Sequence, residues 1–424
     1  MSPAAAWSVS LFQTGLVYLV YIAASTFLGS FIMRSVIQFS LALGLMSGVF
    51  GYAPLADAQT VSNGPSANTA AAREYLEGLE AYAKGDYNTA AQKFEQAADQ
   101  GFARAQYDLG FMYANGQGVT RDDAAAASWY RKAADQGNSN AQYFLGRMYY
   151  SGTGVLQDYA AAASWYRKAA EQGNSNAQYI LGLMYANGIG VLQDYAAAVS
   201  LYRKAADQGL ADAQYILGRM YSSGTSVPQD NAAAASWYRK AADQGLADAQ
   251  YILGLMYASG IVVPKDDAAA VSLYRKAAEQ GLADAQNNLG MMYQLGRGVP
   301  QDNAAAASWY RKATDQGLAD AQNNLGTMYY LGIGVPQDNA AAASWYRKAA
   351  DQGLADAQTR FGAMYDLGIG VPQNFVQAHK WYNLAAASGD TRAPALRDFV
   401  AEKMTPAQIA EAQKLASEWR KKEE

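Results

Sequence analysis

The chain has no cysteine and only one histidine, His379, among its 424 residues. The lack of cysteine excludes disulfide bonds, thiolate metal sites and cysteine nucleophiles. A single histidine excludes metal sites that need two imidazole ligands and most histidine-based catalytic arrangements. The chain also lacks the motifs H-E-x-x-H, G-x-S-x-G and Walker A. The sequence therefore predicts no catalytic residue, no metal site and no cofactor.

The chain has no excess of basic residues. The formal net charge is -4 at pH 7, with 33 lysines and arginines against 37 aspartates and glutamates. Proteins that bind nucleic acid usually carry a concentrated basic patch, because the phosphate backbone dominates their affinity. Nucleic acid is therefore not an expected partner.

Charge is almost absent from residues 1–58, an apolar leader in which Arg34 is the only charged side chain between Ala4 and Ala56. Residues 33–58 are typical of a secretory signal, with small residues that favour cleavage after Ala58. The alternative is a membrane hairpin made of two apolar stretches, which would anchor the protein. Both interpretations predict that the rest of the chain is exported to the periplasm, the cell envelope or the exterior. Residues 59–72, which are small and polar, are predicted to form a linker.

A glycine recurs every thirty-six residues from Gly101 to Gly389 and defines eight full units. A fixed period of this length indicates stacked supersecondary units. Residues 73–100 keep the same pattern with a shorter turn and are predicted to form an N-terminal capping hairpin. Residues 390–424 are predicted to form C-terminal capping helices, the last of which starts with a capping box at Thr405.

Each unit contains two predicted helices, as the unit that ends at Gly245 illustrates. Helix A covers about residues 212–223, and its apolar residues recur at helical spacing. Helix B follows a glycine-rich turn and covers about residues 231–244. Its apolar stripe includes Trp237 and Tyr238, and Trp237 is expected in the core. One such hairpin cannot bury its own apolar face, so the hairpins must stack.

The pattern A-x-x-x-L-G-x-x-Y-x-x-G-x-G-V-x-x-D…A-x-x-W-Y-x-x-A-A-x-x-G is complete in Ala321–Gly353 and nearly complete in the other units. It resembles the Sel1-like repeat, a relative of the tetratricopeptide repeat, over residues 73–389. Ser226 and Val262 depart from it, because they replace the second glycine of the turn. The resemblance implies an all-α, right-handed superhelical solenoid whose helices A line a concave surface and whose function is protein binding.

Helix A varies between units at three positions that share one face, whereas helix B is nearly constant. Tyrosine and arginine, which are enriched at binding hot spots, occupy much of this face. The candidate partner-binding residues are Tyr143, Arg147, Tyr150, Tyr179, Tyr215, Arg219, Tyr251, Asn287 and Asn323. An extended peptide or a cell-wall glycan strand would suit such a face. The alternative is that these tyrosines pack between adjacent helices A.

The sequence thus favours a non-enzymatic scaffold or adaptor that binds protein partners in the cell envelope. One alternative is an accessory module for peptidoglycan binding or polysaccharide export. Another is a hydrolase acting on cell-wall or β-lactam substrates. A serine acylase of that type needs S-x-x-K and K-T-G elements, and the sequence contains neither.

Overall fold

The computed structural model describes residues 67–419, which form twenty α-helices and, within that range, no β-strand. The all-α repeat fold predicted from the sequence is confirmed. The predicted leader, the cleavage site after Ala58 and most of the predicted linker lie outside the described residues. Over the range that is described, none of the helices combines the length and apolar character needed to cross a membrane.

The described residues divide into two units after Asp230. In unit 1, each helix packs against the next one along the chain. Odd-numbered helices correspond to helix A of a repeat and even-numbered helices to helix B. The helices of unit 1 are α1 (Ala67–Ala83), α2 (Tyr87–Asp99), α3 (Ala103–Asn115), α4 (Asp123–Asp135), α5 (Ser139–Ser151), α6 (Tyr159–Glu171), α7 (Ser175–Asn187), α8 (Tyr195–Asp207) and α9 (Ala211–Ser223).

Unit 2 continues the same order with helix B first. Consecutive helices pack in pairs up to α19, and α20 folds back onto α18. The helices of unit 2 are α10 (Asn231–Asp243), α11 (Ala247–Ser259), α12 (Asp267–Glu279), α13 (Ala283–Leu295), α14 (Asn303–Thr314), α15 (Ala319–Leu331), α16 (Asn339–Asp351), α17 (Ala355–Leu367), α18 (Phe375–Ala387), α19 (Ala393–Ala401) and α20 (Pro406–Glu418).

Local capping fixes where each hairpin turns. Asp158 caps α6, because its side chain accepts a hydrogen bond of 2.9 Å from the backbone N–H of Ala161. Gly152 ends α5 in the left-handed conformation with φ 74°, which lets its N–H bond the carbonyl of Met148. Gly245, which marks the repeat boundary, follows helix B with φ 93°. The sequence-based boundaries of the two helices are confirmed to within one residue.

The core of each hairpin is built from alanine, leucine, methionine and one tyrosine of helix B. Tyr346 is only 2% exposed and lies on Gly326 of the preceding helix A, where an added Cβ would sit 2.9 Å from the ring. The expectation that Trp237 belongs to the core was wrong. Trp237 is half-buried and its ring is covered by Lys240, whose Nζ lies 4.0 Å from the ring centre. The next residue, Tyr238, is the buried aromatic side chain at 3% exposure.

A buried glutamine connects neighbouring hairpins. Gln142 of α5 is 4% exposed and donates to the carbonyl oxygen of Ala134 in the preceding helix B at 3.1 Å. Its own Oε1 accepts a hydrogen bond of 2.7 Å from Gln172, which follows the next helix B. The same pair of contacts recurs in unit 2, where Gln280 donates to Gln250 at 2.9 Å. Each buried amide thus joins two successive hairpins.

One boundary differs from the sequence-based prediction. Helix α1 begins at Ala67, inside the predicted linker 59–72 and before the predicted start of the capping hairpin at residue 73. The run Ala70–Ala72 has high helix propensity, and Ala71 is 2% exposed, so these small residues extend a packed helix. At the other end, the capping box of Thr405 and Gln408 is present.

The two residues that replace turn glycines keep the glycine conformation. Ser226 has φ 62° and Val262 has φ 74°, close to the 67° of Gly298 at the equivalent position of the next turn. The turn geometry is therefore retained in both units. It is strained at Val262, since a β-branched residue rarely adopts positive φ.

Candidate functional site

The candidate binding residues all lie on helices A, as their spacing predicted. In unit 1 they belong to α5, α7 and α9, and in unit 2 to α11, α13 and α15. Their burial divides them into two groups. The buried group is Tyr143, Tyr179, Asn287 and Asn323, and the half-buried group is Arg147, Tyr150, Tyr215, Arg219 and Tyr251.

An aromatic cluster surrounds Tyr143 in α5. Tyr143 is 9% exposed and meets Phe144 edge-on, with ring centres 5.3 Å apart, and Tyr166 of α6 at 5.8 Å. The guanidinium of Arg147 lies 5.4 Å from the Phe144 ring centre and 6.0 Å from that of Tyr143. Burial raises the pKa of the Tyr143 hydroxyl, although Arg147 lowers it in part. The cluster therefore places the half-buried guanidinium of Arg147 over the uncharged rings of Tyr143 and Phe144.

The same arrangement recurs two repeats later. In α9, the guanidinium of Arg219 lies 6.0 Å from the ring centre of Tyr215, and both side chains are half-buried. Between these two clusters, Tyr179 of α7 is 8% exposed and packs on Tyr202 at 6.0 Å. Unit 1 thus carries two arginine–aromatic clusters on helices A.

Tyr150 stands at the end of α5 near the turn. It is half-buried and meets Tyr159 of α6 edge-on at 5.0 Å. Burial raises the pKa of its hydroxyl, and Tyr159 adds to the rise. The ring is therefore held in place while part of its surface stays accessible.

In unit 2 the asparagines bond across repeats instead of facing outward. Asn324 donates to the Oδ1 of Asn287 at 3.0 Å, and Asn323 donates to the Oδ2 of Asp356 at 3.0 Å. Tyr251 is half-buried and packs on Tyr274 at 6.0 Å. Asn287 and Asn323 therefore contribute to the contact between neighbouring helices A.

Burial removes four of the nine predicted residues from the accessible surface: Tyr143, Tyr179, Asn287 and Asn323. Tyr143 and Tyr179 pack on helix B of their own hairpin. Only the two asparagines bond to a neighbouring helix A. The residues that retain accessible surface are Arg147, Tyr150, Tyr215, Arg219 and Tyr251.

Sequence reasoning missed a row of carboxylates in unit 2. Asp248, Asp284 and Asp320 occupy the second position of successive helices A and are exposed. The surrounding protein partly desolvates the carboxyls of Asp284 and Asp320 and so raises their pKa, and neighbouring carboxylates add to the rise. The signal was present in the sequence, since the recurring L-A-D-A-Q replaces the S-N-A-Q of earlier units at Asn140 and Asn176.

The row ends at Asp356, whose surroundings differ. Burial raises the pKa of this carboxyl, but Arg360 and Arg392 outweigh that effect and hold it below its usual value. Arg360 lies 2.8 Å and Arg392 2.6 Å from its oxygens. The negative charge of Asp356 is thus balanced by two arginines of the same protein. Across residues 67–419, no three histidine, aspartate or glutamate side chains are grouped so that they could hold a metal ion.

These features define a helical-hairpin repeat protein in which successive hairpins share a core and a buried glutamine contact. The chain belongs to the Sel1 repeat family. Nine consecutive segments match this family, at residues 65–102, 103–138, 139–174, 175–210, 211–246, 247–282, 283–318, 319–354 and 355–390. The first of these segments includes the N-terminal hairpin, which the sequence analysis had separated as a cap. It is therefore a ninth repeat.

Two solved structures are similar over most of this chain. One is c5321 of uropathogenic Escherichia coli, described as a protective antigen with an SLR fold; it is 35% identical, with a TM-score of 0.61, covering 82% of this chain and 84% of that one. The other is a Sel1 repeat protein from Oxalobacter formigenes, which is 38% identical, with a TM-score of 0.53, covering 74% of this chain and 90% of that one. A comparison with curated proteins finds no match.

Proposed function

We propose that this protein is a non-enzymatic scaffold of the cell envelope that binds a protein partner through the accessible side chains of helices A. Sel1 repeat proteins typically mediate protein–protein interactions and are generally non-catalytic, which supports the class of function. The location rests on the exported leader predicted for residues 1–58.

The observation that carries the binding surface is the pair of arginine–aromatic clusters in unit 1. Arg147 and Arg219 are each half-buried against aromatic rings on α5 and α9. An arginine held this way loses less conformational freedom when it binds, and its guanidinium offers several donors in a fixed plane. Tyrosine and arginine with these properties dominate the energetics of protein interfaces.

Site-specific photo-crosslinking tests this surface in cells that make the full chain. A photoreactive amino acid in place of Tyr150 or Tyr215 is expected to capture one protein partner. Ser128 and Ser164, exposed on helices B of the same unit, are the matched control positions. A partner captured from the helix-B positions and not from Tyr150 or Tyr215 would contradict the proposed surface. A crosslink to glycan alone would contradict the proposed partner class.

Fractionation of the same cells tests the location. The full repeat region is expected in the envelope or outside the cell, and cleavage after Ala58 would make Gln59 the first residue. Recovery of the protein from the cytoplasm alone would contradict the envelope assignment and leave the binding surface to be judged by crosslinking.

A further inference from the structure

Unit 2 contains a cavity of about 420 Å³ between α16, α17 and α18. Its accessible aromatic surface is the half-buried Tyr365, whose ring centre lies 4.9 Å from that of Phe361. Phe361 and Trp381 lie beneath it in the core, each only 3% exposed. Amide side chains and charged groups form the rest of the lining: Gln373, Asn374, Gln377, Arg347, Asp351 and Lys380. The volume lies within the range of roughly 300–1,000 Å³ that is usual for small ligand sites.

The cavity lies where a recurring contact is interrupted. In earlier repeats an arginine of helix B donates to the tyrosine hydroxyl of the following helix A. Arg167 reaches Tyr185 at 3.0 Å in unit 1, and Arg311 reaches Tyr329 at 3.0 Å in unit 2. The equivalent Arg347 makes no such bond to Tyr365 within the described residues and instead lies 3.9 Å from Asp351. The space that the bond would span is open.

Three side chains of the lining also differ from the other repeats. Gln377 stands where the preceding repeat has Ala341, Lys380 where it has Ser344, and Phe361 where it has Leu325. These substitutions add one amide, one cation and one aromatic ring to the same cavity. The last repeat has therefore gained an amide and a cation at positions where the preceding repeat has alanine and serine.

The charges of the lining favour an anion. Arg347 and Lys380 face only one carboxylate, Asp351, whose side chain is 16% exposed. Burial lowers the pKa of Lys380; Asp351 opposes this effect and Arg347 adds to it. A carboxylate placed beside Lys380 would offset both the lost hydration and the repulsion from Arg347.

We propose that this cavity binds the carboxyl terminus of a peptide or protein whose last residue is aromatic or large and apolar. The terminal side chain lies on Tyr365, and the terminal carboxylate pairs with Lys380 and Arg347. The amides of Gln373 and Gln377 bond the last peptide groups. A free aromatic carboxylic acid offers part of the same chemistry without the peptide groups. This site is separate from the arginine–aromatic clusters of unit 1, so either proposal can fail alone.

Fluorescence polarisation on the full chain tests the proposal with a labelled tetrapeptide that ends in phenylalanine. The free acid is expected to bind saturably, and the otherwise identical carboxyl-terminal amide at least tenfold more weakly. Equal binding of acid and amide, or no binding of either, would overturn the proposal. 3-Phenylpropionate is expected to compete at least tenfold more weakly than the unlabelled peptide, and competition as strong as the peptide's would overturn the peptide assignment.

Variants locate the site. Lys380→Ser restores the residue of the preceding repeat, so the variant is expected to keep the fold. Its affinity for the free-acid peptide is expected to fall at least tenfold. Lys348→Ala is the matched control, because Lys348 covers the Trp345 ring at 4.3 Å outside the cavity. Unchanged affinity in Lys380→Ser, with thermal unfolding like that of the wild type, would overturn the assignment, and so would an equal loss in Lys348→Ala.

Discussion

Gln172 donates its amide N–H to the Oε1 of Gln142 at 2.7 Å, thirty residues away along the chain. Gln142 in turn donates to the Ala134 carbonyl of the preceding helix B. One buried side chain thus satisfies polar groups of two hairpins. A buried polar group without a partner is costly, so this contact makes each hairpin depend on its neighbours.

Gln142→Leu is expected to lower the free energy of unfolding by about 1–3 kcal/mol, since it removes two side-chain hydrogen bonds, each worth roughly 0.5–1.5 kcal/mol. Denaturant unfolding followed by circular dichroism measures the change. Gln92→Leu, at an exposed position of α2, is the control and should change stability by less than about 0.5 kcal/mol. Similar values for the two variants would show that the buried amide does not stabilise the stack.

Adjacent aromatic residues on α16 should differ in their effect on stability. Tyr346 is 2% exposed against Gly326, whereas Trp345 is half-buried with Lys348 over its ring. Tyr346→Ala is expected to cost about 3–5 kcal/mol as a core truncation, and Trp345→Ala about 1–2 kcal/mol. Thermal and denaturant unfolding compare them. A larger loss for Trp345→Ala would mean that the tryptophan forms the core after all.

Val262→Gly is expected to stabilise the protein by about 1 kcal/mol, because glycine removes the strain of positive φ at a modest entropic cost. Gly298→Val provides the matched opposite change at the equivalent turn. An added Cβ there would clash with the carbonyl oxygen of Asp267, so this variant should be strongly destabilised. Measured melting temperatures should move in opposite directions, and a lower value for Val262→Gly would contradict the strain.

Asp108 should make the stability of unit 1 depend on pH. Its carboxyl is 5% exposed and accepts a hydrogen bond from Tyr75 at 2.8 Å. Burial raises its pKa from 3.8 to about 7, although Tyr75 and Arg104 oppose the rise. The folded state therefore holds the proton more tightly than the unfolded chain. This contribution is fully present below about pH 4 and is lost as the pH rises through about 7.

Asp108→Asn is accordingly expected to change stability little at pH 4 and to increase it by roughly 1–3 kcal/mol at pH 8, since one pKa unit corresponds to about 1.4 kcal/mol. Denaturant unfolding at the two pH values measures the difference. Asp99→Asn, at an exposed position of α2, serves as the control. An equal gain at both pH values would show that the Asp108 carboxyl is not protonated in the folded state.

Local signals explain which parts of the fold the sequence predicts well. The hairpin boundaries follow from Asp158-type caps and left-handed glycines, which act within a few residues. The burial of Asn287 could not be predicted in the same way, because its partner Asn324 lies one repeat further along the chain. Trp237 was misjudged for a related reason, since size alone does not reveal that Lys240 covers the ring. Burial depends on which side chains cover a position in three dimensions, and the residue type at that position does not specify them.

The binding surface of unit 1 is tested most directly by the affinity of the crosslinked partner for the purified protein. Isothermal titration calorimetry should show the combined Arg147→Ala and Arg219→Ala variant binding at least tenfold more weakly, a loss of about 1.4 kcal/mol or more. The helix-B variant Arg131→Ala with Arg203→Ala removes the same charge and should bind as the wild type does. Wild-type affinity in the helix-A variant would contradict a function built on these arginines.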